Sequence, residues 1–310
     1  MNIDASLLQH AAAAAAGHQQ YPAGALYVVA TPIGNLADLS LRALHLLGLV
    51  DAVACEDKRV TGALLHHLGL DKPLLALHQH NEHEAAQQVI HRLAQGQRVA
   101  YASDAGTPAV SDPGAVLVAA VVAAGHRVVP LPGPSSATTA LSAAGDVLAQ
   151  GYAFVGFVPA KGAERRTALA ALAADARCQV LFEAPHRIVA LADELAAAQP
   201  QRRVTLAREL SKQFESIVTQ AAADLPAWLA ADANRQRGEF VLVLHALPAA
   251  EDEAAVPPAV EALLAPLLQV LPLKQAVALV AEACHAPRNA LYQRALELRE
   301  AQADADPDAG

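Results

Sequence analysis

The chain has 310 residues, is 54% hydrophobic and 17% charged, and carries a formal net charge of −9. Its apolar runs fall short of the roughly 18 residues a membrane span needs, and its acidic balance argues against the broad positive surface of an indiscriminate nucleic-acid binder. Three scattered cysteines (Cys55, Cys178 and Cys284) without a CxxC pair offer neither a disulfide framework nor a zinc site, so a cytoplasmic protein is expected.

Residues 1–23 are Ala-rich and lack the basic leader of a signal peptide, so they read as a disordered tail. Residues 24–146 alternate strand and helix. ALYVVA (25–30) is a short apolar strand, TPIGN a turn-rich loop, and Asp38 the cap of a helix to about Leu49. DAVACE (51–56), a helix from Val60 to Leu68, and KPLLAL (72–77) follow. Asn81 is then placed to cap a helix in which Ala85, Ala86, Val89, Ile90, Leu93 and Ala94 share one face. A strand at 99–102, a helix at about 114–124 and a strand opening 127–136 complete this part. The alternation predicts an α/β domain with a largely parallel sheet.

A second α/β unit is expected over 147–246, with strands at YAFVGF, QVLFE, RVTLA, ESIVT and GEFVLVLH. Its helices are read at 164–174, 185–198 and around Trp228 behind Pro226. Residues 247–258 form an acidic, Pro-rich linker. Residues 259–300 are helical, with two helices meeting at His285–Pro287, and 301–310 are read as a disordered tail.

Residues 98–114, RVAYASDAGTPAVSDPG, concentrate turn chemistry behind a buried strand. A plain connection needs only about 2–6 residues, and ligands of open α/β sheets bind at strand carboxyl ends. No two glycines are two residues apart, and no GxxxxGK[ST] occurs, which removes the dinucleotide fingerprint and the P-loop. HQHNEH (His78, His80, His83) reads as loop structure or substrate contact rather than a metal site. GPSSATTALS lacks a GxSxG elbow and reads as a helix N-terminus whose amides and hydroxyls face a ligand. Charges recur at strand ends: Glu56-Asp57-Lys58-Arg59, Glu183 with His186-Arg187, and Arg208-Glu209 with Lys212. Any one could be a helix-end ion pair; their shared placement points to function.

Together, TPIGNLADLSLRAL, CEDKR, HQHNE, SDAGTPAVSDPG, PLPGPSSATTALSAAG, EAPHR, ARELSK and RGEFVLVL resemble the ribosomal RNA small subunit methyltransferase I family, within the tetrapyrrole-methylase-like (class III) methyltransferases. The resemblance runs from about Ala25 to Glu300. The segment from LPLKQA to RNALYQRALE resembles that family's C-terminal extension. Where the family usually carries Glu-Asp-Thr-Arg, this chain has Lys58 in place of the threonine, which adds a cation and removes a hydroxyl.

The resemblance implies a two-domain tetrapyrrole-methylase-like α/β fold with a small C-terminal helical extension, usually as a homodimer. It implies methylation of the ribose 2′-hydroxyl of a cytidine in the decoding region of 16S rRNA, in the small ribosomal subunit, from S-adenosyl-L-methionine. The cofactor would lie against Pro32 and Ile33, against Ser103, Asp104, Ala105, Gly106 and Thr107, and against Ser135, Ser136 and Ala137. Second-domain contacts would come from near Phe157, Leu210 and Gly238. The glycines would let main chain approach the cofactor, and Pro108 and Pro113 would stiffen the loop. A ribose hydroxyl is a weak nucleophile, and a base taking its proton is worth about 10²–10⁴-fold. Asp57, Glu183 and His186 are the candidates, unranked. Lys58, Arg59, Arg187, Arg208 and Lys212 suit RNA phosphates, and Lys274, Arg288 and Arg294 of the helix-turn-helix-like extension could touch RNA. Two alternatives stand beside this: a tetrapyrrole-type small-molecule methyltransferase, and a non-catalytic cofactor- or RNA-binding module.

Overall fold

The structure is a computed structural model that describes residues 5–78, 81–111, 113–248 and 256–305, with side chains to residue 299. Two compact units divide the chain, 1–246 and 247–310.

The first unit opens with helix α1 (Ala5–Ala16), where a disordered tail was expected. Alanine has the highest helix propensity, and here the run also finds a surface to cover. Ala12 and Ala16 are buried, Ala12 packing with Ala43, Leu44 and Leu47, and the Gln9 amide donates to the Leu68 and Gly69 carbonyls at 2.8 and 3.1 Å. Then follow β1 (Ala25–Val29), α2 (Leu41–Leu49), β2 (Ala52–Cys55), α3 (Lys58–His67), β3 (Leu74–Ala76), α4 (Glu82–Ala94), β4 (Val99–Ala102), α5 (Ala115–Ala123), β5 (Arg127–Leu131) and α6 (Ser136–Ala144). The strands form one parallel sheet in the order β3-β2-β4-β1-β5.

Two expected caps differ. Ser40, not Asp38, accepts the Ala43 amide at the start of α2, because a 3₁₀ turn at Leu36–Asp38 intervenes. Asn81 occupies the N-cap position of α4, but its side chain turns back, accepting from the His78 amide and donating to the Ala76 carbonyl.

The second half contains β6 (Tyr152–Phe157), α7 (Gly162–Ala174), β7 (Cys178–Glu183), α8 (Ile188–Ala198), β8 (Arg203–Arg208), β9 (Ser216–Ala221), α9 (Leu225–Ala230) and β10 (Phe240–Leu244). Its sheet is mixed, in the order β6-β7-β10-β8-β9, with the β6–β7 pair parallel and the others antiparallel. β10 returns between β7 and β8 and is buried along its whole length, which explains its unbroken apolar sequence. Helix α6 follows the first sheet but packs on the second: Ala137, Ala140 and Ala144 lie with Val180, Ala207, Val241 and Val243. Its small side chains let the two halves approach closely.

The second unit is built from α10 (Pro258–Val270), α11 (Leu273–Cys284) and α12 (Arg288–Ala305) around Leu264, Leu268, Val277, Val280, Leu291 and Ala295. The break between α11 and α12 falls at His285–Pro287 as expected, with His285 left-handed at φ 50°. Helix α12 continues to Ala305, beyond the expected end at 300. Residues 1–4, most of the linker (249–255), residues 306–310, Gln79, His80 and Asp112 lie outside the described residues.

Candidate functional site

The carboxyl ends of β1 and β4 feed two loops that are clamped together. The Thr31 amide donates to the Gly106 carbonyl at 2.9 Å and the Gly106 amide to the Thr31 carbonyl at 3.0 Å. The Thr31 hydroxyl donates to the Ser103 carbonyl, and the Ser103 hydroxyl to the Gly106 carbonyl. Gly106 sits at φ +82°, a conformation glycine adopts without steric cost. These loops serve two cavities. Ile33, Ala105, Gly106 and Thr107 line one of about 340 Å³. Thr31, Pro32, Ser103 and Asp104 line another of about 380 Å³.

The first cavity lies between the two α/β halves. Ser135 and Ser136 at the start of α6 join the loop residues, and Phe157, Phe182, Leu210 and Val241 close it from the second half. Ser135 makes no side-chain cap bond to α6, so its hydroxyl and the first-turn amides are available to an occupant. Strained backbone collects here. Ala109, Ser111, Glu209 and Ser211 have φ between 52° and 67°, a conformation costing about 1–3 kcal/mol per residue that the surroundings must enforce. Ser111 lines the cavity, as does Leu210 between the other strained pair.

Several contacts hold the halves in register. The Ser211 hydroxyl donates to the Asp38 carboxylate. The Lys212 stem crosses Gly34 so closely that a Cβ there would stand 2.4 Å from Lys212 Cγ. The Lys212 ammonium reaches Glu209 at 2.9 Å and Glu239 at 3.0 Å. Burial works against the Glu209 charge, yet the Lys212 ammonium and the Glu239 amide hold its carboxyl below the ordinary glutamate value.

Of the expected cofactor residues, Ile33, Ala105, Gly106, Thr107, Ser135, Ser136, Phe157 and Leu210 come together on the first cavity. Pro32, Ser103 and Asp104 line the second. Ala137 is instead buried in the packing of α6 on the second sheet. Gly238 is taken up by Glu209, whose carboxyl lies 2.5 Å from where a Cβ would be. Val110, Ser111, Phe182, Glu239 and Val241 were not anticipated. They are strand ends and loop residues of ordinary type, and only the pairing of β10 beside β7 brings the last three near one another.

The three candidate bases are not equivalent. Asp57 caps α3 and is clasped by the Arg59 guanidinium at 2.6 Å, which holds its pKa to about 2 and makes it a weak proton acceptor. The Glu183 side chain is wholly buried and spoken for: Arg187 Nε is 2.9 Å away, Arg165 Nη1 3.9 Å, and the Ala184 amide donates at 2.9 Å. It anchors the turn that Ala184 and Pro185 present to the cavity. His186 is exposed on that turn.

The cations divide in the same way. Arg187 is held by Glu183 and the Val158 carbonyl, Arg208 by Ser216 and the carbonyls of Phe214 and Arg237, and Lys212 by its two glutamates. Arg294 is locked to Glu261 and Glu297 within the helical unit. These four are structural ties rather than free phosphate ligands. Lys58, Lys274 and Arg288 are exposed, and the Arg59 side chain is 91% exposed despite its bond to Asp57.

Comparison with known proteins agrees with this architecture. The family described as Tetrapyrrole (Corrin/Porphyrin) Methylases matches residues 25–226, and that described as RsmI C-terminal HTH domain matches residues 254–299. The chain is 47% identical over 275 residues to the ribosomal RNA small subunit methyltransferase I of Escherichia coli O157:H7, covering 88% of this chain and 95% of that protein. It is 48% identical over 276 residues to the protein of that name from Pseudomonas aeruginosa, covering 89% and 98%. Among solved structures, a cobalt precorrin-4 methyltransferase aligns with TM-score 0.53 at 20% identity, over 73% of this chain and 98% of that one. The uroporphyrin-III-C-methyltransferase of Thermus thermophilus aligns with TM-score 0.51 at 22% identity, over 72% and 94%. At these identities the structures speak to the fold.

Proposed function

Because the chain belongs to the ribosomal RNA small subunit methyltransferase I family, we propose that it methylates 16S rRNA of the small ribosomal subunit, at the ribose 2′-hydroxyl of a cytidine in the decoding region, with S-adenosyl-L-methionine as donor. The observation that carries the reading is the first cavity, walled by both α/β halves and floored by glycine-permitted main chain.

Its residues fit that donor. The volume of about 340 Å³ lies in the range of about 300–1,000 Å³ typical of small-molecule sites. Ile33, Phe157, Phe182 and Val241 provide apolar wall for a purine, and Thr107, Ser135 and Ser136 provide hydroxyls. The open amides at the start of α6 suit a carboxylate. When bound, the donor supplies an electrophilic methyl group on a sulfonium. The protein's part is placement and exclusion of water. The clamped loops, the strained Glu209–Ser211 turn and the Lys212 strut fix the walls before anything binds, so little ordering entropy is lost. Among the candidate bases, His186 is the one left exposed and without a tight ion pair, and it takes that role in this reading.

Lys58, Arg59, Lys274 and Arg288 would meet RNA phosphates. The reading includes a homodimer, supported by the edge position of β6 and its exposed Tyr152 and Val155, and a cytoplasmic location. No helix among the described residues is long and apolar enough to cross a membrane. The test is incubation with methyl-labelled S-adenosylmethionine and small subunits from cells lacking the modification, followed by nucleoside mapping. Label on a cytidine ribose is expected; label on a base, or no label on RNA, would refute it.

A further inference from the structure

The second cavity is distinct from the one assigned above to the donor. It lies entirely in the first half, between the clamped loops and helix α3, and is lined by Leu36, Val60, Thr61, Ala63, Leu64 and His67 beside Thr31, Pro32, Ser103 and Asp104. We infer that this cavity receives the acceptor nucleoside of the RNA, its base entering the space against α3. The inference rests on the proposed rRNA activity and names the subsite that activity needs.

Three observations support a nucleoside as occupant. The volume, about 380 Å³, and the mainly apolar lining are those of a site for a flat heterocycle with few polar contacts. The Thr61 hydroxyl is turned inward on the buried Cys55 thiol and only its methyl side adds to the apolar wall. The other buried hydroxyls of the wall, Thr31 and Ser103, are used within the loops. The exposed His67 imidazole and one oxygen of Asp104 are left to read the base and ribose; the other oxygen holds the Asp57 amide at 3.0 Å. Finally, α3 starts with Lys58 and Arg59, placing two exposed cations one turn from Val60 and Thr61, where a nucleoside's flanking phosphates would lie. The shared loops put this site beside the donor's, with Asp104 and Ala105 consecutive in the chain but on different cavities.

The test uses the full chain saturated with S-adenosylhomocysteine, with cytidine 5′-monophosphate as probe. Ala63→Phe fills the cavity from an exposed helical position and should leave folding intact. His67→Ala removes the exposed imidazole of the wall. The expected results are chemical-shift changes confined to α3 and residues 31–36 and 103–104 in the wild type, at least tenfold weaker nucleotide binding and a similarly raised KM for small subunits in Ala63→Phe, and about five- to tenfold weakening in His67→Ala without loss of thermal stability. S-adenosylhomocysteine affinity should be equal in all three. A wild-type KM in Ala63→Phe, or nucleotide shifts elsewhere on the protein, would overturn the inference. A His67→Ala variant with unchanged nucleotide affinity would overturn the role assigned to the imidazole. A wild type that binds the nucleotide here but does not methylate 16S rRNA would refute the proposed activity and leave the cavity's assignment standing.

Discussion

Glu183→Gln separates a structural carboxylate from a catalytic one. The Glu183 side chain has no solvent exposure and faces Arg187 Nε at 2.9 Å and Arg165 Nη1 at 3.9 Å. Arg165 is 9% exposed and Arg187 20%. Removing one member of a buried ion pair costs about 3–5 kcal/mol. Arg165 keeps Glu194 at 2.5 Å and Arg187 keeps the Val158 carbonyl, so the lower end, about 3 kcal/mol, applies. At about 2–4 °C per kcal/mol for a unit of this size, the melting temperature should fall by roughly 6–12 °C. Differential scanning calorimetry at neutral pH, with methylation assayed well below the melting range, measures both effects. The reasoning expects a large thermal loss and a modest rate loss. An unchanged melting temperature with a hundredfold or greater fall in kcat would show that Glu183 is the proton acceptor and that its guanidinium neighbours do not neutralise it.

Three further outcomes follow from the same geometry. Gly34→Ala drives a methyl into the Lys212 stem and should cost about 1–3 kcal/mol, read as a lower urea midpoint that Lys212→Ala partly restores. Burial pushes His245 below its ordinary value of 6.5. The unfolded chain therefore takes up that proton first, and stability should fall as pH drops below about 6.5; His245→Gln should flatten this part of the urea-midpoint profile, and an unaltered slope would exclude His245 as its source. Replacing Lys274 or Arg288 by alanine should reduce the slope of log affinity for rRNA against log salt by about one each, whereas Arg294→Gln, which breaks the ties to Glu261 and Glu297, should leave that slope unchanged.

The loops that build the site were legible because their chemistry is local. TPIGN and SDAGTP announce turns at the ends of apolar runs, and strands alternating with helices place those turns along one sheet edge. Helix α1 was missed because an alanine tract carries little amphipathic signal, and the surface it covers on α2 is visible only after folding. The charged residues are visible in the sequence, but their partners are not. Lys212 pairs with Glu239, and Arg165 with Glu194, across 27 and 29 residues of sequence, so their neutralisation depends on strand order that no local pattern encodes. Phe182 and Val241 read as ordinary core residues for the same reason: their place on the cavity follows from β10 inserting between β7 and β8. Asp104 precedes Ala105 in the chain yet lines the other cavity, a distinction one residue of backbone direction decides.

The account depends on a methyl donor lodged between the two α/β halves. Calorimetric titration with S-adenosylhomocysteine tests this directly when the wild type is set beside Ala105→Trp, which fills the first cavity from an exposed loop position. Saturable heat at one ligand per chain in the wild type, abolished by the tryptophan, is the predicted result. No heat from the wild type, or an undiminished isotherm from the folded variant, would contradict it.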